Sequence, residues 1–363
     1  MTHEGVLDAV VVGGGAMGSA AAWRLARRGA AVVLLEQFGP GHTRGASHGA
    51  SRIFRLVYPE PVYIDLARRA LPLWRELEAA TGHVLLTVTG GVDHGDPAAI
   101  TALDQATRAA GVPGELLSAA AAGERWPGLA FDDAGPVFFH PASGRLHADR
   151  SVMALQVSAR AHGAEVRHNA VVRGIEVLGD DLVEVHTDAG ALRARRVVVA
   201  AGAWSAKLLA GLVDLPPLRV TQEQPAHFAP TVAGEWPAFI HHGADGGVYG
   251  LATPGQGIKV GFHATGPERD PDATAPFDAL QHKRLQRYVE RWLPGVRHSQ
   301  YTRISCTYTS TPTGDFVIDR AGPVVVAAGF SGHGFKFTPA VGELLADLAG
   351  PGLPAPRRFA LAR

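Results

Sequence analysis

The fold class of this chain is indicated most clearly by residues 9–18, which read AVVVGGGAMG. One alanine and three valines predict a short buried strand, and the three glycines that follow predict a tight turn. Residues 16–28 have helical composition and end at Gly29, and residues 31–35, AVVLL, predict a second buried strand. The first forty residues therefore predict a βαβ unit with a right-handed crossover, which places the chain in the α/β class.

The glycines of this stretch have a spacing that suits a nucleotide. Gly13, Gly15 and Gly18 fit the pattern G-x-G-x-x-G, which allows a tight turn, a close approach of backbone to pyrophosphate, and close packing of helix on strand. Glu36 closes the second strand 36 − 18 = 18 residues after the last glycine, where a carboxylate accepts hydrogen bonds from an adenosine ribose. These residues predict a dinucleotide site. The motif alone does not distinguish FAD from NAD, and a glycine-rich turn in an ordinary α/β protein is the alternative.

Further segments predict that the same sheet continues along the chain. Strand composition recurs at residues 164–167, 182–185, 196–200 and 324–329, and a terminal helix is predicted over residues 341–348. The segments between them contain shorter alternating strands, many of the prolines and most of the scattered histidines. We therefore predict a discontinuous Rossmann-like nucleotide domain and an interleaved substrate domain on a mixed or antiparallel sheet. The predicted nucleotide domain comprises residues 1–83, 146–213 and 311–363, and the substrate domain comprises residues 84–145 and 214–310.

Composition excludes several classes of function. Lys+Arg and Asp+Glu are both 34 among 363 residues, so the charge balance gives no general attraction to nucleic acid or to an anionic membrane. The single cysteine rules out an intrachain disulfide framework and suits a reducing compartment. No basic and apolar leader precedes the first strand, and the uncharged residues 9–23 are fewer than the ~20 that span a bilayer. We expect a cytoplasmic protein that binds neither nucleic acid nor a membrane.

Four further segments carry a resemblance to a known family. They are residues 42–58 (HTRGASHGASRIFRLVY), 125–128 (RWPG), 305–309 (SCTYT) leading to 315–319 (DFVID), and 329–337 (GFSGHGFKF). In this order, and over residues 8–348, the chain resembles the monomeric sarcosine oxidase and N-methyltryptophan oxidase family of FAD-dependent amine oxidases. The resemblance implies a p-hydroxybenzoate-hydroxylase-like fold and covalently bound FAD. Departures at Arg44, Ala46, Ser47 and Ile240 leave the identity of the substrate open.

The resemblance also implies which residues bind the cofactor. Cys306 corresponds to the cysteine that forms an 8α-S-cysteinyl link to FAD, with Arg52 and His48 beside the flavin. From the residues alone, Cys306 could instead be an ordinary buried thiol. Arg52 and His48 could instead be surface residues that form ion pairs. The residues predicted to bind FAD are Gly13, Gly15, Ala16, Met17, Gly18, Glu36, Gln37, Ser47, His48, Ser51, Arg52, Val171, Ala201, Gly202, Trp204, Cys306, Gly332, Gly334, Phe335 and Lys336.

Three cationic side chains are predicted to act in catalysis. The resemblance places Arg55 and Lys336 over one face of the flavin, where both hold a substrate carboxylate. It places Lys259 on the opposite face, near flavin N5, where a fixed ammonium activates oxygen. On sequence alone, Arg55 and Lys336 would more often be solvated charges, and Lys259 could lie on the solvent face of a strand.

Three further residues complete the predicted site and its function. His263, Tyr249 and Tyr308 match residues that line the amine pocket of the family, with a satisfied histidine and two core aromatics as the alternatives. The resemblance implies oxidation of the C–N bond of a sarcosine-like or N-methyl amino acid to an imine, with O2 reduced to H2O2, and we expect a monomer. The remaining histidines, His241 and His242 among them, have no metal-binding spacing, so no metal is predicted. A cyclic imino acid or a glycated amino acid in a biosynthetic pathway is the alternative substrate. An alternative from a different functional class is a NAD-binding or redox-sensing protein that has no flavin chemistry.

Overall fold

The computed structural model describes residues 5–132, 135–243, 246–273, 276–350, 354 and 356–362. These residues form strands β1 (Leu7–Val12), β2 (Val32–Leu35), β3 (Arg52–Phe54), β4 (Leu86–Val88), β5 (Gly91–Gly95), β6 (Glu115–Leu117), β7 (Val137–His140), β8 (Gly144–Leu146), β9 (Glu165–Arg167), β10 (Val172–Gly179), β11 (Leu182–Thr187), β12 (Gly190–Val199), β13 (Arg219–Glu223), β14 (Ala226–Pro230), β15 (Ala238–His242), β16 (Val248–Thr253), β17 (Gly257–Phe262), β18 (Val296–Arg303), β19 (Cys306–Ser310), β20 (Val317–Ala321) and β21 (Val324–Ala328). The α-helices are α1 (Ala16–Arg27), α2 (Pro61–Thr81), α3 (Pro97–Ala109), α4 (Ala119–Arg125), α5 (Ala148–Ala161), α6 (Ser205–Leu209), α7 (Ala279–Trp292) and α8 (Thr338–Ala349). Short 3-10 helices span Gly202–Trp204, Phe335–Phe337 and Arg357–Phe359.

One eight-stranded sheet contains the N-terminal βαβ unit. In it, β1 pairs in parallel with β12 on one side and with β2 on the other, and β2 pairs in parallel with β9. On the edge of β12 that faces away from β1, residues 190–194 pair with antiparallel β11 and residues 197–199 pair with parallel β21. Strands β10 and β20 complete the sheet. Every strand that the sequence predicted for this sheet is present within a few residues, and the predicted α/β fold class is confirmed.

The first βαβ unit depends on two of its glycines. Gly13 has a φ of +104°, a left-handed value that disfavours side chains, and a Cβ there would overlap the carbonyl of Ala200. A Cβ on Gly18 would overlap the carbonyl of Gly13. Because both lack side chains, α1 begins directly at the end of β1 and packs closely on the sheet. Helix α1 is covered in turn by α5 and α8.

The second eight-stranded sheet has the order β18-β14-β17-β16-β15-β5-β7-β6, and all its pairs are antiparallel except β15 with β5. Helix α7 packs against β17 and β18. The predicted short strands of residues 84–145 and 214–310 are therefore confirmed, but the sequence did not predict α3, α4 and α7 within them. The boundaries predicted for the two domains stay a prediction.

Two small sheets complete the architecture and carry residues of the site. Strands β3, β8 and β4 form one, and β13 pairs with β19 in the other. Arg52 begins β3 and Cys306 begins β19. Among the described residues, no helix combines the length and the apolar character needed to cross a membrane. Residues 1–4, where no export signal was predicted, lie outside the described part of the chain.

Candidate active site

A long cavity of ≈ 820 Å³ opens where β1, β2 and β12 end. Val12, Leu35 and Ala200, which end or follow these strands, line one part of it, and Cys306 and Phe335 line another. In open α/β sheets, ligands bind outside the carboxyl ends of the parallel strands. The volume lies toward the upper end of the range for small-molecule and cofactor pockets, so the cavity has room for an extended dinucleotide.

The glycine turn leaves the amino end of α1 open to this cavity. Gly15 lines it, and a Cβ on Gly15 would lie 3.2 Å from Ser47 Oγ. Ser47 Oγ also accepts a hydrogen bond from the backbone N–H of Ala16 at 3.0 Å, which holds the loop of residues 42–51 beside the helix. A helix amino end favours bound anions through its free N–H groups and its dipole. These residues therefore fit the pyrophosphate of a dinucleotide.

Glu36 provides a fixed carboxylate at the ribose end of the cavity. Its two oxygens accept hydrogen bonds from the backbone N–H groups of Gly14 at 2.7 Å and Phe38 at 2.9 Å. Burial raises the pKa of Glu36, but His42 and the two backbone donors outweigh burial and lower it. The anionic carboxylate suits ribose hydroxyls and disfavours a 2′-phosphate, as the sequence predicted.

Cys306 lies at the other end of the cavity, and Arg52 lies beside it. The cysteine is buried, at 8% exposure, and Arg52 Nη2 lies 3.8 Å from its sulfur. Arg52 is held by two backbone carbonyls, those of Ser51 at 2.8 Å and Ala46 at 2.9 Å. The structure thus places the guanidinium of Arg52 beside the thiol.

Lys259 is buried in β17 and lies within electrostatic range of this cysteine and arginine. It is 5% exposed, which excludes the solvent face of a strand as its place. Burial, and then the charge of Arg52, lower the pKa of Lys259 to about 7. Burial, followed by Arg52 and Lys259, lowers the pKa of His48 to about 4, so His48 is neutral at pH 7.

Arg55 and Lys336 meet at a shared tyrosine. Lys336 Nζ donates hydrogen bonds to Tyr58 Oη and to the carbonyl of His333, both at 2.8 Å. The guanidinium of Arg55 lies 4.6 Å from the centre of the Tyr58 ring. Burial and the charge of Arg55 hold the pKa of Lys336 well below its usual range. Lys336 is 6% exposed, and the side chain of Arg55 is 13% exposed and paired, so the alternative of two solvated charges is wrong.

Arg55 is also paired with a carboxylate that the sequence analysis did not identify. Its Nη1 donates to Asp93 Oδ1 at 3.0 Å. Burial raises the pKa of Asp93, but Arg55 and hydrogen bonds from His140 and His242 lower it far below its usual range. Arg55 is therefore one half of a buried ion pair.

The three predicted pocket residues lie between the Cys306–Arg52 pair and the Arg55–Lys336 pair. They are His263, Tyr249 and Tyr308. Tyr249 and Tyr308 interact with each other, and the His263 ring lies 5.6 Å from that of Tyr308. Burial, then Arg55 and Lys336, lower the pKa of His263 to about 4. Burial raises the pKa of both tyrosines. All three side chains are therefore uncharged at neutral pH.

The structure brings most of the predicted cofactor residues to the cavity. Those that line it are Gly13, Gly15, Ala16, Met17, Glu36, Gln37, Ser47, Arg52, Ala201, Gly202, Trp204, Cys306, Gly332, Gly334 and Phe335, together with Tyr308. Val171 lines a separate, smaller cavity instead, and Gly18 packs beneath α1. Ser51 Oγ lies 2.7 Å from Thr253 Oγ1. The roles of all these residues stay predictions.

The sequence analysis did not identify two residues of the site, Asp93 and Gln156. Asp93 was the more detectable, because an aspartate between Val92 and His94 interrupts the alternation expected of a strand. Gln156, whose side chain donates to the carbonyl of Gly14 at 2.9 Å, lies on α5 and has no local signal. Among the described residues, Glu176, Glu184 and His186 could together hold a metal ion, but they lie on β10 and β11 and do not line the cavity. That the protein uses no metal stays a prediction.

Comparisons with known proteins find relatives over nearly the whole chain. A monomeric sarcosine oxidase from Bacillus sp. (strain NS-129) is 37% identical over 361 residues, covering 95% of this chain and 93% of that protein. An N-methyl-L-tryptophan oxidase from Yersinia pestis (strain Pestoides F) is 32% identical and covers 94% of both chains. The open form of NikD, described as an unusual amino acid oxidase essential for nikkomycin biosynthesis, has a TM-score of 0.87 at 29% identity, covering 98% of this chain and 97% of NikD.

A family model gives the same result over nearly the whole chain. The model of FAD dependent oxidoreductases matches residues 8–348. The predicted family, FAD-binding fold, FAD cofactor and oxidoreductase class are confirmed. The chain belongs to the FAD-dependent oxidoreductase family, together with the monomeric sarcosine oxidases and N-methyltryptophan oxidases.

Proposed function

We propose that this enzyme oxidises the C–N bond of an amino acid with a secondary amine to an imine, with O2 as the electron acceptor and H2O2 as the product. The observation that carries the proposal is the meeting of two basic side chains, those of Arg55 and Lys336, at Tyr58. Two cations at one point suit a carboxylate. Relatives at 37% and 32% identity are named for the oxidation of sarcosine and of N-methyl-L-tryptophan.

The residues of the cavity fit FAD. The cavity is lined by the glycine turn and Glu36 at one end and by Cys306 and Arg52 at the other, an arrangement that suits a dinucleotide with a redox-active ring at the cysteine end. When bound there, FAD supplies a two-electron acceptor for the substrate carbon next to nitrogen. We further propose that the sulfur of Cys306 binds it covalently, because this sulfur lines the cavity and lies 3.8 Å from Arg52 Nη2.

The pocket residues favour the neutral form of the substrate amine. His263, Tyr249 and Tyr308 are uncharged near pH 7, and the surrounding burial disfavours an ammonium. A neutral amine keeps the lone pair that an imine requires. Arg55 and Lys336 fix the carboxylate at the other end of the substrate, which limits the orientations of its reacting carbon.

Lys259 is proposed to assist the reaction with oxygen. It is buried, and the region around it is poorly accessible to water. A fixed ammonium in such a place stabilises the anion that forms when oxygen accepts an electron. Arg52 and His48 are the nearest alternatives, since both lie within electrostatic range of Lys259.

Lys336→Met should weaken the binding of amino acid substrates by about 10- to 150-fold, the loss of a charge-assisted hydrogen bond worth roughly 1.5 to 3 kcal/mol. Amines without a carboxylate should lose much less, because they do not use the cation. Steady-state kinetics on matched pairs, such as sarcosine and dimethylamine, measure the difference. Lys283→Met, at an exposed position of α7, is the control. Equal losses for both members of a pair would contradict the carboxylate role.

A panel of substrates tests the proposed function itself. Peroxide release is measured with N-methyl amino acids, cyclic imino acids and glycated amino acids, each at the same concentration. The likeness to NikD, a biosynthetic amino acid oxidase by its description, makes the cyclic and glycated compounds the second candidates. The match to FAD dependent oxidoreductases favours this function over the NAD-binding or redox-sensing alternative. The monomeric state and the cytoplasmic location of the protein also stay predictions.

A further inference from the structure

Asp93 is a fully buried carboxylate that contacts three donors. Its exposure is 0%. Oδ1 accepts from Arg55 Nη1 at 3.0 Å and from His242 Nε2 at 2.6 Å, and Oδ2 accepts from His140 Nε2 at 2.7 Å. A buried carboxylate with this many donors stays ionised and fixed in place. It cannot contact a substrate directly, so any effect on the substrate passes through Arg55.

The second sheet builds this arrangement from three neighbouring strands. Asp93 lies on β5, between β15, which carries His242, and β7, which ends at His140. A Cβ on Gly91 would overlap the ring of His140, so a glycine is needed there for the imidazole to reach Asp93. The next residue along β5, His94, stacks on His241 at 4.2 Å on the other face of the sheet. The strand therefore directs Asp93, rather than its neighbour, toward Arg55.

Asp93 lowers the net positive charge of the site formed by Arg55 and Lys336. Arg55 and Lys336 contribute at most two positive charges, and Asp93 removes one of them. His263, His333 and Tyr58, which lie beside the two cations, are neutral at pH 7, since burial and the neighbouring cations lower the pKa of His263 to about 4 and of His333 to about 3, and burial raises the pKa of Tyr58 to about 12. His140 and His242 contact Asp93 itself and not the two cations. One anionic charge on a ligand thus neutralises the site, and a second would remain uncompensated in a buried place.

We propose that Asp93 determines the charge of the substrate, so that the site formed by Arg55 and Lys336 accepts monocarboxylates and rejects dicarboxylates. The inference rests on the proposed function, in which these two cations bind a carboxylate. Asp93 is a positioning and specificity residue, because it acts only through Arg55. An amino acid with an acidic side chain is then a poor substrate, even where its shape fits.

Wild-type holoenzyme tests the proposal with three small ligands of nearly equal shape. Malonamide, malonamate and malonate carry about zero, one and two negative charges at pH 7.5, and isothermal titration calorimetry gives their affinities. Malonamate should bind most tightly. Malonate binding as tightly as malonamate, or more tightly, would overturn the role of Asp93. Malonamate binding no more tightly than malonamide would overturn the carboxylate site of the proposed function, and this proposal with it.

Asp93→Asn removes the charge and keeps the shape. The amide oxygen can accept from Arg55 and His242, and the amide N–H can donate to His140 Nε2 if the ring proton moves to Nδ1, which faces Ser143 Oγ. The ratio of malonate affinity to malonamate affinity should rise by about tenfold or more, because the guanidinium, whose charge Asp93 no longer neutralises, now attracts the second charge. A rise in this ratio is not expected from a merely loosened pocket, which would weaken all three ligands.

Asp319→Asn is the matched control for this experiment. Asp319 is another buried carboxylate, at 2% exposure, and it accepts from the backbone N–H groups of Arg320 and Leu361 rather than from a site residue. Its substitution should leave the affinity ratio unchanged. An Asp93→Asn ratio equal to that of wild type and of Asp319→Asn would overturn the proposal. If Asp93→Asn does not fold, the three wild-type affinities still decide the question.

Discussion

Lys259→Met enzyme should react with oxygen at least about a hundredfold more slowly than wild type after reduction by substrate, while its anaerobic reduction slows only modestly. Electron transfer to oxygen creates an anion, and the loss of one preorganised electrostatic partner costs about 3 to 4 kcal/mol. Methionine keeps the apolar contacts of the lysine stem in β17 and removes the ammonium. Stopped-flow mixing measures the two half-reactions separately, first without oxygen and then with oxygenated buffer.

The same lysine should give the oxygen reaction a dependence on pH. Burial, followed by the charge of Arg52, lowers the pKa of Lys259 to about 7. The ammonium is present below this value and is lost as the pH rises through it. The wild-type rate with oxygen should therefore fall as the pH rises through about 7, and the Lys259→Met rate should stay low throughout.

Two results would contradict this role of Lys259. Equal slowing of both half-reactions would mean that the lysine maintains the shape of the pocket. An unchanged oxygen reaction would mean that oxygen is activated elsewhere, with Arg52 or His48 as the next residues to replace. Lys283→Met, at an exposed position, shows what a lysine substitution does outside the site.

Cys306→Ala should change the protein from one that keeps its flavin after acid precipitation to one that releases it entirely. The proposed carbon–sulfur bond would survive denaturation, whereas hydrogen bonds to the glycine turn would not. The measurement is the absorbance of the supernatant and of the washed pellet at flavin wavelengths. Ser305→Ala, at the exposed neighbouring position, should leave the pellet yellow.

The wild-type protein gives the stricter test of the proposed covalent bond between Cys306 and FAD. A colourless wild-type pellet with free FAD in the supernatant would show that Cys306 is an ordinary buried thiol. The position of the thiol would then need another explanation, since it lines the cavity and lies 3.8 Å from Arg52 Nη2. Loss of flavin from both Cys306→Ala and Ser305→Ala would point to local unfolding of β19 instead of a lost bond.

The sequence predicted the first sheet well because its signals are local. In residues 9–36, strand composition, glycine spacing and a terminal carboxylate occur in register, and each has a separate physical cause. Helix α7 was missed because its buried residues, Gln281, His282, Leu285 and Val289, include two polar ones. Its start is fixed by Asp278, which accepts from two backbone N–H groups, and its position by packing on β17 and β18. Packing of this kind has no signal in a short stretch of sequence.

The candidate site divides in the same way. The glycine turn and Glu36 followed from spacing, and the residues of the catalytic region followed from family resemblance. The pairing of Arg55 with Asp93 could not be predicted, because 38 residues separate them in the chain and the contact depends on the register of β5 with β7 and β15. A charged residue in a strand is usually assigned to the solvent face. Only the surrounding strands show that Asp93 is buried.

The pairing of β21 with β12, and the packing of α8 on α1, bear on how the protein matures in the cell. A nascent chain that has left the ribosome as far as β20 contains the glycine turn and Cys306 but lacks β21, α8 and Lys336. Contacts between such distant segments form late in folding. The first sheet, and the contact of Lys336 with Tyr58, can therefore be completed only after translation has nearly finished.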